Sequence, residues 1–407
     1  MRASSFALGW HLCSGYLLIV NFGMKFSFFC FFSMSITRSP LTVLHLSTEK
    51  LWHGGEQQAL HLTMGLRERG HRCVVAARQD GAFAERMRTE NFELQTFHRR
   101  GRGPDALWAL RRLVRSIRPD VIHSHDGHAL TASGLATLRL RQPLRVASRR
   151  VDFPIRSSAK FRHLADVVIA ISRAVMDVCQ EGGIPESMLR VVPSGVDPAR
   201  VAAGDRGRGR VALGVQEDEP LLTVVATLTP HKGHTSLLEA LPEVIRYFPK
   251  LRVALVGDGE LIELLRAQTH RLGLDRQVMF LGYRQDVPDL IRATDLFVMP
   301  SHTEGLCTSL LDAMFARIPI VTTGAGGIAE VIGLDDPLGP CARVAAPQDS
   351  RGLARAIVRA LAQQEANLPL VERAFQRAAE KFTHQKMIEG TLAIYREWLG
   401  ENRQRAA

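Results

Sequence analysis

The sequence predicts an α/β protein made of two doubly wound domains, each a parallel sheet covered by helices. Three observations carry this. The chain has 407 residues, enough for two buried cores, and 46% hydrophobic with 23% charged residues is a globular composition. Short apolar runs of strand length alternate with amphipathic stretches of helical period. The alternation also starts afresh after a break rich in proline and glycine between Val191 and Arg210.

The first 37 residues do not share this grammar. Phe26, Phe28, Phe29, Phe31 and Phe32 crowd an apolar stretch that His11 and Lys25 interrupt, which makes a poor transmembrane helix. Three readings stand: a membrane anchor, a weak signal sequence, or translated upstream sequence with the true start at Met34. The last is preferred, because LTVLHLS from Leu41 to Ser47 reads as the buried first strand of an α/β domain.

Gly54 and Gly55 then turn the chain into an amphipathic helix from about Glu56 to Arg69, stopped by Gly70. Further strands fall at Cys73 to Ala77, Leu94 to Thr96, Val121 to Ser124, Leu144 to Ser148 and Val167 to Ile171. Pro193, Gly195 and Pro198, followed by the arginines and glycines of Arg206 to Arg210, read as a linker. Strands resume at Leu221 to Ala226, Arg252 to Val256, Val278 to Leu281, Leu296 to Met299 and Ile320 to Thr322. One long helical pattern, Leu370 to Leu399, closes the chain. The expected organisation is therefore a leader (1–37), a first domain (38–195), a second domain (196–370) and a terminal helix with its tail (371–407).

Formal charge of +11 and a pI near 9.8 favour anionic partners, and Arg99, Arg100, Arg102, Arg111, Arg112, Arg115 and Arg118 concentrate the excess. Aromatic residues are only 6% and zinc-finger or RNA-recognition patterns are missing, so an anionic membrane surface or a phosphorylated acceptor fits better than nucleic acid. A merely solvated basic face is the plain alternative. The six cysteines show neither metal-ligand nor disulfide spacing, which suits a reducing cytoplasm.

Two segments of the second half carry chemistry. TLTPHKGH sets Lys232 and Gly233 between a strand and a helix, where an ammonium reaches a phosphate. A lysine on a surface turn is the alternative. PSHTEGLCTSLLDAM puts Glu304 at a turn and Asp312 eight residues on. With the helix starting near Gly305, the amides of Leu306 and Cys307 face an anion at the positive end of its dipole. Acids beside such a site fit sugar and ribose hydroxyls, although Glu304 as a dipole partner and Asp312 as a solvated group is the simpler reading. His123, His125 and His128 are strand-end polar residues or, by spacing, a metal cluster; no metal is expected.

PSHTEGLCTSLLDAM resembles the Glu, seven residues, Glu motif of family 4 glycosyltransferases. The resemblance covers Leu41 to Leu399 and includes GGEQQALHL, DVIHSHDGH, AISRAV, VPSGVD, VGDGEL, FLGYRQDVPDLIRATDLFVMP and TGAGGIAEVI. It implies the GT-B fold, two Rossmann-like domains facing a cleft with the last helix returning to the first domain. It further implies a retaining, metal-independent transferase that moves a sugar from a nucleotide-sugar donor to a lipid-linked or glycan acceptor. Such enzymes build cell-envelope polysaccharide or lipopolysaccharide, here from the inner face of the cytoplasmic membrane. Carried over, Lys232 contacts the diphosphate, Glu304 the donor sugar, Asp312 the ribose, and His125 lines the cleft. Gly54, Gly55, Thr227, Gly233, Gly305, Leu306, Cys307 and Thr308 complete the donor-binding set.

Three residues depart from the pattern. Asp312 stands for the second glutamate, Thr227 for a phosphate-binding arginine, and Cys307 where glycine is common. Arg149, Arg150 or Arg156 of the facing domain are candidates to replace the missing cation. Two other functions share these features: a nucleotide-sugar epimerase of the same fold, which would release free epimerised donor, and a non-catalytic binding protein, which acceptor-dependent nucleotide release would argue against. A dehydrogenase reading fails because VGDGEL has Ile262 where a third glycine belongs.

Overall fold

A computed structural model describes residues 39–98, 103–140 and 143–406. The apolar leader and the Arg99, Arg100 and Arg102 cluster lie outside the described residues. In chain order, the first domain runs β1 (Thr42–Ser47), α1 (Gly54–Glu68), β2 (Arg72–Arg78), α2 (Ala82–Thr89), β3 (Glu93–Phe97), α3 (Pro104–Ile117), β4 (Val121–Ser124), α4 (Gly127–Ala136), β5 (Leu144–Arg149), α5 (Ser158–Leu164), β6 (Val167–Ala170), α6 (Arg173–Glu181) and β7 (Leu189–Val191). Its seven strands are parallel in the order β3-β2-β1-β4-β5-β6-β7.

The second domain follows as α7 (Pro198–Ala202), α8 (Arg206–Leu213), β8 (Leu221–Val225), α9 (His234–Tyr247), β9 (Arg252–Val256), α10 (Ile262–Arg271), β10 (Val278–Gly282), α11 (Val287–Ala293), β11 (Leu296–Met299), α12 (Thr308–Phe315), β12 (Ile320–Thr323), α13 (Gly327–Ile332), β13 (Arg343–Ala345) and α14 (Ser350–Ala362). Its six parallel strands take the order β10-β9-β8-β11-β12-β13. Each order reverses once, between β1 and β4 and between β8 and β11. Crevices open beyond the carboxyl ends of the strands at such reversals. The sequence motifs map to both.

β7 and β13 are edge strands of three residues each and escape pattern reading, since LRV and RVA are too short to show a period. The predicted linker is also folded. α8 takes up RGRGR, and its glycines serve contact rather than flexibility: a Cβ on Gly209 would stand 2.2 Å from the Asp289 carbonyl oxygen of α11. Arg206 and Arg210 from the same helix bind Asp295 at 2.9 and 3.2 Å. Charge and glycine here mark a tight helix pair, not a spacer.

The closing helical pattern is broken in two, as α15 (Leu368–Lys381) and α16 (His384–Ala406). At the break the chain bonds to the first crossing between the domains: Val196 N donates to Phe382 O (3.0 Å) and His384 N to Val196 O (2.9 Å). α15 stays on the second domain, with Phe375 edge-on to Phe315 at 6.2 Å. α16 returns to the first, burying Met387, Ile388, Leu392, Tyr395 and Trp398 in the core beneath β1 and α1. Gly195 makes the crossing possible, because a Cβ there would sit 2.2 Å from the Thr383 carbonyl oxygen. Gln58 of α1 clamps the same glycine, donating to its carbonyl (2.9 Å) and accepting from its amide (3.0 Å).

Candidate active site

The second-domain wall is built from the loops after β8 and β11. A short turn, Pro230–Lys232, ends at Gly233, whose φ of +72° and close approach to Pro300 leave no room for a side chain: a Cβ would lie 1.9 Å from the Pro300 carbonyl oxygen. That turn aims Lys232 at Glu304. Lys232 Nζ donates to Glu304 Oε1 at 2.6 Å, with the two side chains 16% and 8% exposed, and Ser301 Oγ donates to the same oxygen at 3.3 Å. Thr227 is exposed and bonds only weakly to Thr229 Oγ1, at 3.4 Å.

α12 starts at Thr308, not near Gly305, so its outward first-turn amides are those of Thr308 and Ser309 rather than Leu306 and Cys307. Leu306 is buried in the core and the Gly305 carbonyl accepts from Ser172 Oγ at 2.6 Å. Cys307 caps the helix at φ +77°, the left-handed conformation that explains why glycine suits this position. Burial pushes its thiol up to about 12. In the second turn of α12, Asp312 is buried and pairs with Arg200 of α7, Nη2 to Oδ2 at 2.6 Å. Burial holds this carboxyl above its usual range against the pull of Arg200, and Oδ1 is enclosed without a partner.

The first-domain wall is the start of α1 and the ends of β4 and β5. A Cβ on Gly54 would lie 3.6 Å from Thr308 Oγ1, so the N-termini of α1 and α12 face each other across the cleft. Glu56, in the first turn of α1, is buried and accepts from the His53 amide at 3.1 Å. Burial raises its carboxyl to about 7. The domains touch elsewhere through Arg173 N donating to Glu330 (2.7 Å), Thr303 Oγ1 donating to Asp152, and Phe153 edge-on to His231 at 5.4 Å.

Beneath this wall sits a cluster the sequence reading assembled only in part. His45 and His123 are register partners on β1 and β4, and His125 follows directly. His45 lies edge to edge and nearly coplanar with His125, centroids 5.3 Å apart at 6°, and His123 stacks on His125 at 4.4 Å and 23°. Arg150 Nη2 donates to His125 Nδ1 at 3.1 Å. A guanidinium only donates, so His125 carries its proton on Nε2 and gives it to His45 Nδ1, 3.0 Å away. His123 bonds to Tyr395 OH of α16 (2.5 Å) and Ser148 Oγ (2.7 Å). Burial, with Arg150 and the neighbouring rings, keeps all three imidazoles neutral: His45 falls to about 3 and the other two lie well below the usual range. His128 is elsewhere, lining a cavity of about 450 Å³ with Lys50, His53 and Arg78.

The two domains match separate family models, residues 52–200 that of Glycosyltransferase Family 4 and residues 205–377 that of Glycosyl transferases group 1. The chain belongs to the family 4 glycosyltransferases. An uncharacterized glycosyltransferase of Methanocaldococcus jannaschii is 31% identical over 173 residues, covering 40% of this chain and 44% of that one. The GDP-mannose-dependent alpha-(1-6)-phosphatidylinositol monomannoside mannosyltransferase of Mycolicibacterium smegmatis is 29% identical over 311 residues, 69% and 79% of the two chains. Among solved structures, Anabaena HepE in complex with UDP and glucose superposes with a TM-score of 0.76 at 23% identity, covering 87% of this chain and 99% of that one. This likeness extends the family's two-domain GT-B fold across the whole described body.

In this glycosyltransferase the cleft brings together Lys232, Gly233, Glu304, Thr308, Gly54 and Gly55. Asp312 lies deeper with Arg200, Thr227 stands at the rim, and His125 is under the floor with both ring nitrogens engaged. Arg200, His45, Ser148 and Tyr395 were not singled out from sequence. His45 hides inside an apolar strand run, and only strand order brings it beside His123.

Proposed function

We propose that this chain transfers a sugar from a nucleotide-sugar donor to a lipid-linked or glycan acceptor with retention and without a metal ion, in cell-envelope polysaccharide or lipopolysaccharide synthesis. The observation that carries the reading is the Lys232–Glu304 pair, 2.6 Å apart at the end of the second sheet and opposite the start of α1. A diphosphate competes with Glu304 for the ammonium. Once displaced, the carboxylate is available to sugar hydroxyls, and the ribose hydroxyls meet the Asp312–Arg200 pair. The acceptor oxygen bonds to the anomeric carbon as the carbon–phosphate-oxygen bond breaks, and the acceptor proton passes to the departing phosphate oxygen. Lys232 and the helix amides stabilise the charge that develops there.

This route needs no side-chain base, in keeping with a His125 whose nitrogens are both bonded within the protein. Metal independence is supported by Lys232 and the first-turn helix amides, which supply positive charge at the diphosphate; nitrogens of His45, His123 and His125 lie within 4.8 Å of one another, but the three rings are engaged with each other, Arg150, Tyr395 and Ser148. A nucleotide-sugar donor also fits the GDP-mannose-dependent mannosyltransferase relative and HepE with its UDP and glucose.

Peripheral attachment to an anionic membrane surface is supported by α3. Trp108 is 65% exposed with the Arg112 guanidinium 5.6 Å from its ring, and Arg115 and Arg118 are exposed beyond it. Arg111 is excluded from that face, because it donates to the carbonyls of Ala136 and Leu138. No described helix is long and apolar enough to cross a membrane.

The test is thermal stabilisation by UDP-, GDP- and ADP-sugars, then transfer assays on Lys232→Ala and Glu304→Ala. Both variants are expected to fold and to lose transfer. Unchanged turnover in both sinks the reading.

A further inference from the structure

One half-buried cation in the first domain, its Nε fully enclosed, has no ion-pair partner among the described residues. Arg150 follows β5, and its Nη2 donates to His125 Nδ1 at 3.1 Å and, more weakly, to Ser148 Oγ at 3.4 Å. Both partners are neutral acceptors. Its Nε is enclosed without a partner, and Arg150 forms no ion pair among the described residues. Glu56 acts on it only at a distance, and burial pulls the guanidinium down to about 10, still protonated at neutral pH. Burying a cation without its counter-ion is strongly unfavourable. Such a group marks a place that an anion completes.

The position of the side chain says which anion. Arg150 Cδ lies 3.5 Å from where a Gly55 Cβ would stand, so the side chain crosses the N-terminus of the 15-residue α1. The outward amides of Gly54 and Gly55 add hydrogen-bond donors at the positive end of that helix. The Arg150 carbonyl oxygen lies 2.9 Å from a Cβ built on Gly305, which fixes this wall against the start of the α12 segment. Fixed cation, helix amides and the facing Thr308 hydroxyl meet only where the two domains meet. The neutral histidines below orient the guanidinium through His125 without cancelling its charge.

We propose that Arg150 is the cation of a phosphate-binding site that the two domains form jointly at the closed cleft, with His125 and Ser148 as its positioning residues. This rests on the reading of the chain as a nucleotide-sugar transferase. The phosphate belongs either to the donor diphosphate or to a phosphorylated acceptor.

Calorimetric titration distinguishes the two. UDP, GDP and ADP and their nucleosides are titrated into wild type, Arg150→Gln and Arg150→Lys, and inorganic phosphate is then titrated onto the protein saturated with the preferred diphosphate. Arg150→Gln is expected to weaken the phosphate-bearing ligand about tenfold or more while nucleoside affinity stays within about twofold, since charge-assisted bonds to phosphate are lost. Loss confined to the diphosphate assigns the site to the donor; loss confined to inorganic phosphate assigns it to the acceptor. Arg150→Lys keeps the charge and loses the fork, so a smaller loss of the same kind is expected. It carries the test where Arg150→Gln does not fold. Diphosphate and phosphate affinities unchanged within about twofold, or lost in parallel with nucleoside, overturn the proposal. A wild-type chain that binds none of the three diphosphates overturns instead the nucleotide-sugar reading on which it stands.

Discussion

Replacing Lys232 by methionine keeps the aliphatic stem of the side chain and removes the ammonium 2.6 Å from Glu304 Oε1. The carboxylate is only 8% exposed, and Ser301 Oγ at 3.3 Å is then its remaining side-chain partner. Removing one member of a buried ion pair costs roughly 3–5 kcal/mol, because the other charge stays buried and uncompensated. The surviving Ser301 bond and the 16% exposure of Lys232 place the expectation at the lower end, about 3 kcal/mol. For a chain of this size that corresponds to a fall in Tm of roughly 5 °C. Adding Glu304→Gln removes the orphaned charge, so the double variant should regain about half the loss, and the coupling is roughly 1.5 kcal/mol plus whatever Glu304→Gln costs alone. Calorimetry of wild type, both single variants and the double variant at one pH measures this cycle. A Lys232→Met protein that melts with wild type, or a double variant that loses the sum of the single effects, would refute an energetically coupled pair and with it the picture of a diphosphate competing for Lys232.

Glu56 gives a pH prediction whose sign follows from its raised carboxyl, about 7 in the fold against 4.5 as the ordinary value. Between those values the folded state holds more protons than the unfolded chain, so this group's contribution to stability falls as pH rises. Glu56→Gln should therefore be more stable than wild type by roughly 3 kcal/mol at pH 8 and equal to it below about pH 4.5, read from Tm across that range; a gap independent of pH would remove burial as the cause. Gly195→Ala drives a Cβ to within 2.2 Å of the Thr383 carbonyl oxygen and should cost about 2 kcal/mol, whereas an unaltered Tm would show that the crossing chains separate easily. Trp108→Ala should weaken co-sedimentation with phosphatidylglycerol vesicles without altering donor binding; equal sedimentation would take α3 out of the membrane contact.

Much of this protein was legible from its residues because both sheets are parallel and fully covered, which writes long apolar runs into the central strands. β1, β4, β8 and β11, flanking the two reversals, were found within a residue or so of their ends. What escaped is what depends on contact across the chain. The break between α15 and α16 has no helix-breaking residue; it is imposed by the bonds of Val196 to Phe382 and His384. The glycines of α8 read as a linker because their close partner, α11, lies some 80 residues away in sequence, as the Arg208–Asp289 spacing of 81 shows. At the site, Lys232 and Glu304 were placed by their motifs, while the start of α12 moved to Thr308 because Leu306 is drawn into the core and Ser172 holds Gly305. Arg150 was one of three candidate cations, and only the fold separates it from Arg149, which turns to the Phe153 carbonyl.

Retaining, metal-independent transfer is tested most directly without knowing the acceptor, by letting water take its place. Proton NMR of slow hydrolysis of the stabilising α-linked nucleotide sugar, run with and without EDTA, reads the anomer released before mutarotation mixes the two. The α anomer first, at a rate EDTA leaves unchanged, is the predicted result; the β anomer first, or hydrolysis abolished by EDTA, contradicts it.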